Sequence, residues 1–227
     1  MAKASFIKSA RKPIYERGKR VEYVSQKGKR EGQTLSKIDR TIPADENDRI
    51  LINKGESYWT WSFMYGETYY SKTRPKPSQL TSSEFLSTVY GIQEEMDEWN
   101  PEDTDNVSEF VDDIKSRLEE LRDETQDKLD NMPEQLQEAD TGQLLQERIE
   151  ALENAINEFG CLDDLEYEEP DEKDIKDQIA EDEGIDIDEE GWEDSITEEM
   201  IEEKKVDLKS NWLEEKIGEI KNISIEV

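Results

Sequence analysis

Sixty Asp/Glu and not one His frame the chemistry open to this 227-residue chain. Without imidazole, the usual general base, the Ser-His-Asp triad and most zinc sites are removed. Cys161 is the single cysteine, so it has no disulfide partner in the chain and no His to activate it as a nucleophile. No Gly-x-x-x-x-Gly-Lys-Ser/Thr loop occurs to cradle phosphates, and no Asp…Glu-x-Lys grouping of nuclease type stands out on a strand. Paired carboxylates are so common here that they diagnose no active site. One stretch, Asp186-Ile187-Asp188-Glu189-Glu190-Gly191, opens like a calcium loop, but the closing bidentate Glu is replaced by Thr197. The expectation is a non-enzyme with no metal and no cofactor.

Two groups of residues remain that could bind rather than catalyse. Residues 161–200 hold twenty Asp/Glu against Lys173 and Lys176. Within them Asp163, Asp164, Glu166, Glu168, Glu169, Asp171 and Glu172 form the densest candidate surface for a basic partner. Carboxylates spaced along a rod could imitate DNA phosphates, with the steering and salt dependence of protein–DNA attraction inverted. Equally, such acidity could serve solubility alone. The second group is Trp59, Trp61, Tyr69, Tyr70, Lys72, Arg74 and Lys76. Rings can stack bases while flanking cations hold phosphates. The same rings on one strand face could instead be a small core.

The elements that must position these groups follow from patterning. Only 33% of residues are hydrophobic and 39% are charged, with a mean hydropathy of −1.01, which favours thin seams over one thick core. The net charge of −31 is uneven: residues 1–44 carry twelve Lys/Arg against four Asp/Glu. That glycine-containing leader reads as a flexible basic arm. Residues 45–99 read as a small module. Tyr58–Met64 alternates large and small groups into a hairpin turning at Tyr65-Gly66, with Arg49–Asn53 as a third strand. A helix follows a capping box at Thr81–Glu84 and carries the stripe Phe85, Val89, Ile92 and Met96.

Residues 104–160 read as an antiparallel coiled-coil hairpin. Val107, Val111, Ile114, Leu118, Leu121 and Thr125 recur at steps of four and three, as do Leu145, Ile149, Leu152, Ile156 and Phe159. Pro133 ends the first helix, and Asp140 with Gln143 offers a capping box for the second. Residues 161–227 hold the acidic segment, with a brief helix at Ile175 and Ile179. A longer helix runs from about Ser195 on a broad apolar face, and the tail 223–227 reads as a short strand. The fold class is α+β, mainly α.

Two resemblances add to this. The strand–turn–strand–helix order with Lys72 resembles the small arm-binding domain of some tyrosine recombinases over about 45 residues, which implies DNA contact. The section Asp130–Leu145, together with Tyr69-Tyr70-Ser71-Lys72-Thr73, resembles acidic coiled-coil proteins of phages and bacteria that have no known activity. This implies a mobile-element origin and transfers no functional residues. The start Met1–Phe6 lacks a signal-peptide core and no apolar run spans a bilayer, so the expected location is the cytoplasm, a host's if the protein is of phage origin. The leading expectation is an acidic interaction protein that binds a basic, nucleic-acid-handling protein as a DNA mimic or anti-defence inhibitor. The alternatives are a nucleic-acid-binding accessory protein acting through residues 1–78, or a structural subunit forming a homo-oligomer through its coiled coil.

Overall fold

The computed structural model describes every residue except 27–29, 65, 102–105, 163–164, 188–190 and 227. With 52% of the described residues helical and 14% in strands, it is α+β and mainly α. It divides into two compact units, Met1–Gly91 and Ile92–Val227.

The first unit corrects the expectation of a flexible arm. Residues 1–44 contribute four strands: β1 (Ser5–Ile7), β2 (Ile14–Tyr15), β3 (Lys19–Val24) and β4 (Thr34–Asp39). β5 (Ile50–Ile52), β6 (Tyr58–Ser62) and β7 (Thr68–Ser71) follow. The expected hairpin is β6–β7, with Trp61 opposite Tyr69 and Thr60 opposite Tyr70; Tyr65 of its turn lies outside the described residues. Its third strand is β1, Phe6 facing Trp59, whereas β5 pairs with β2 instead. β3 and β4 pair only with each other.

What holds so polar a segment is a small core and a polar clasp. Ala10, Ile14 and Ile52 are buried together, with Leu51, Tyr58 and Tyr70 packed around them. The Asp48 carboxylate accepts the backbone N–H groups of Arg17 (3.0 Å), Gly18 (2.9 Å) and Ala44 (2.8 Å). Burial alone would raise its pKa, but these three donors and the Arg17 charge hold it below the usual value. Gly18 is required beside the clasp: its φ is +69°, and a Cβ there would lie 2.7 Å from the Arg40 Cα.

α1 (Glu84–Glu98) carries the expected buried stripe of Phe85, Val89, Ile92 and Met96. Its cap is Ser83, whose Oγ accepts the Leu86 N–H at 3.4 Å, rather than the expected Thr81.

In the second unit, α2 (Asn106–Asp130) and α4 (Asp140–Gly160) are joined through a single turn, α3 (Glu134–Gln137). Every position of the expected α2 seam is buried, as are Ile149, Leu152, Ile156 and Phe159 of α4; Leu145 is half-buried. The pair is antiparallel. A Cβ on Gly160 would lie 3.9 Å from the Lys115 Nζ, and Glu153 lies within electrostatic reach of Arg122, so positions advance along α2 as they retreat along α4. The expected Asp140 cap is not formed: α4 begins at Asp140 with Ala139 as its cap. Close packing takes over there, since a Cβ on Gly142 would come within 2.0 Å of the Gln137 carbonyl.

α5 (Glu172–Glu183) ends on Gly184 at φ 68° and packs on the start of α6 (Glu198–Asn222). Ile175, Ile179 and Ile196 form this core, with Trp192, Met200 and Leu208 against it. The broad apolar face expected for α6 is interrupted. Val206, roughly 240° around the helix from Met200, is 67% exposed. The expected terminal strand is absent among residues 223–226, although Ile223 and Ile225 are buried.

Candidate functional site

The acidic candidates split into three kinds. Asp163 and Asp164 lie outside the described residues. Glu169 and Glu172 are engaged: Lys205 donates to Glu169 at 2.6 Å, and Lys176 to Glu172 at 2.8 Å. Those bonds raise the pKa of both lysines and lower that of Glu172. Asp171 is exposed at the N-cap of α5, where a negative charge suits the helix dipole. Glu166 and Glu168 remain, and they border a groove.

That groove has a volume of about 790 Å³. One wall is the extended segment 165–170, the other is α6, and Ser108 at the start of α2 closes one side. Along this wall Tyr167 is half-buried, and Glu166 and Glu168 are exposed. Along α6, Leu208, Asn211, Trp212 and Glu215 fall at i, i+3, i+4 and i+7, which places them on one helix face. The two walls meet ring to ring, Tyr167 against Trp212 edge-on at 5.6 Å.

The groove is apolar at its aromatic pair and anionic at Glu166, Glu168 and Glu215. Burial raises the Tyr167 pKa, with Glu169 adding to the shift and Lys209 and Lys205 opposing it. The Tyr167 hydroxyl is buried with no hydrogen-bond partner among the described residues. Of these residues the sequence reading singled out only Glu166 and Glu168. The i, i+3, i+4, i+7 run around Trp212 is the sequence signal for a lined helix face, but nothing in the sequence marks Tyr167 as its partner.

The aromatic and basic candidates are arranged differently. Trp59, Trp61 and Tyr69 share one face of the β1-β6-β7 sheet, with Phe6 5.2 Å from Trp59 and Trp61 stacked on Tyr69 at 5.7 Å. Trp61 is buried, whereas Tyr69 and Phe6 are exposed. Tyr70 is on the opposite face, in the small core with Tyr58. Arg74 lies over the Trp59 ring at 5.9 Å. Lys72 is bound to Glu56 at 2.9 Å, and Asn53 donates to the same carboxylate. The Asn53 backbone N–H, followed by Lys72, lowers the Glu56 pKa to about 2. Lys76 caps the tight turn Pro77–Leu80. The seven residues therefore divide: Trp59, Trp61 and Tyr69 share the ring face with Arg74 over Trp59, Tyr70 is in the core, Lys72 is in an ion pair with Glu56, and Lys76 precedes the Pro77–Leu80 turn.

Among the described residues, no group of three or more His, Cys, Asp or Glu is placed to hold a metal ion, and no helix is long and apolar enough to cross a membrane. Asp188, Glu189 and Glu190 of the calcium-like stretch lie outside the described residues. No protein-family model, curated protein or solved structure matches the chain.

Proposed function

We propose that this protein is a non-enzymatic acidic interaction protein whose helical unit receives a basic, nucleic-acid-handling protein. The observation that carries this reading is the separation of charge between the units. Met1–Gly91 holds seventeen Lys/Arg against ten Asp/Glu, whereas Ile92–Val227 holds twelve against fifty. At least seven of those twelve cations are already in ion pairs: Arg117, Arg122, Lys128, Lys176, Lys204, Lys205 and Lys216. The α2–α4 seam buries the apolar side chains and leaves the carboxylates facing water. Such a surface attracts cationic partners over about a Debye length, roughly 8 Å at physiological salt.

The DNA-mimic and anti-defence roles, a phage origin and a cytoplasmic setting belong to this same proposal. Capture on the immobilised chain from a bacterial lysate, followed by salt titration and competition with duplex DNA, tests it. The expected result is a basic DNA-binding protein, displaced by duplex DNA, whose affinity falls steeply with salt. Capture only of acidic or neutral proteins, or an affinity indifferent to salt, contradicts the proposal. An accessory role in nucleic-acid binding through residues 1–78 is less favoured, because Tyr70 is in the core and Lys72 is bound to Glu56.

A further inference from the structure

We infer that the groove between segment 165–170 and α6 is a receptor for a single arginine side chain of the basic partner. This rests on the reading of the helical unit as an acceptor of basic proteins and assigns its anchoring point. Three features converge. The Trp212 and Tyr167 rings, 5.6 Å apart, offer π surface of the kind on which a guanidinium stacks. Glu166, Glu168 and Glu215 border the same concavity, all exposed and able to meet a planar fork of N–H donors. Segment 165–170 and the α6 face of Leu208, Asn211, Trp212 and Glu215 wall the one concavity, which brings the rings and the carboxylates together.

Arginine fits better than lysine on physical grounds. Guanidinium is planar, more weakly hydrated than ammonium, and binds carboxylates in bidentate fashion while lying flat on a ring. A groove of about 790 Å³ is also ample for one side chain with its flanking backbone. The surroundings are not uniformly anionic. Lys205 and Lys209 lie near enough to lower the Tyr167 pKa, but Lys205 is held by Glu169 at 2.6 Å.

The test is a two-dimensional NMR titration of the full-length chain with a blocked Gly-Arg-Gly peptide, following the five tryptophan indole signals. The inference expects a saturable shift of the Trp212 signal and severalfold weaker binding of the Gly-Lys-Gly counterpart. Glu166→Gln with Glu215→Gln should weaken binding at least tenfold. Glu147→Gln with Glu150→Gln, an equal charge change on exposed positions of α4, should leave it within twofold. Equal losses in both double variants, or an unmoved Trp212 signal, overturn the receptor. If a captured basic protein still binds both variants equally, the groove fails while the broader function stands; if no basic protein binds the parent chain, the broader function fails.

Discussion

The two units solve the same problem, too few apolar residues, in opposite ways. The helical unit draws its apolar side chains into periodic lines: Val107, Ile114 and Leu118 of α2 and Leu152 of α4 are fully buried. The strand unit has no such line and relies on short nonlocal pairings and on carboxylates that gather backbone donors. Asp48 ties residues 17, 18 and 44, and Glu56 ties Asn53 to Lys72. One unit is stabilised mainly by burial, the other depends more on polar clasps.

The largest expected effect breaks the first half of this contrast. Leu118→Ala or Leu152→Ala, each at a site of 0% exposure, should cost the helical unit about 2–5 kcal/mol. Chemical denaturation followed by helical circular dichroism measures it, and a loss below about 1 kcal/mol would mean the seam is not the main support.

Next is the clasp. Asp48→Ala removes the acceptor of three N–H groups and should raise hydrogen-exchange rates at Gly18 and Ala44 while leaving α2 and α4 unchanged. Protection maintained at both amides would sink the idea that a carboxylate holds this unit.

A smaller effect is expected at the one buried cation among the described residues of the helical unit. Lys216 is 7% exposed and donates to Glu219 at 2.9 Å. Glu219→Gln should cost about 1–2 kcal/mol, less than a fully buried pair because the Glu219 side chain is 39% exposed. Lys216→Met should be close to neutral, and the pair of denaturation curves separates loss of the Glu219 charge from lost packing.

The mildest test uses pH. The Glu56 carboxylate titrates at about 2 when folded, below its ordinary 4.5. A depressed carboxylate stabilises above its unfolded value, so its contribution is complete above about pH 4.5 and is lost as pH falls towards 2. A carboxyl carbon titration by NMR should show this midpoint, and Lys72→Gln should move it upward. An unshifted midpoint in the variant would remove Lys72 from the clasp.

The same contrast explains what the sequence made legible. A seam at four–three spacing is local and periodic, so α2, α4 and their antiparallel pairing could be read from residues 106–159. The β6–β7 hairpin was legible through strict alternation from Tyr58 to Ser62. The strands β1 and β2 were not, because they are two or three residues long and pair with partners thirty-five or more positions away. Nor does any periodicity announce an aspartate that accepts three backbone donors. For the site, charge density pointed to Glu166 and Glu168, but the groove needed Tyr167 and Trp212 to meet across 45 residues of intervening fold.

The central claim is that the helical unit accepts cationic partners through its uncompensated carboxylates. Its most direct measurement is the affinity of the full-length chain for the basic protein it captures, determined from 50 to 300 mM salt. The account predicts a steep linear fall of log affinity with log salt, and a further loss when Glu166 and Glu215 are changed to Gln. A flat salt profile would contradict it.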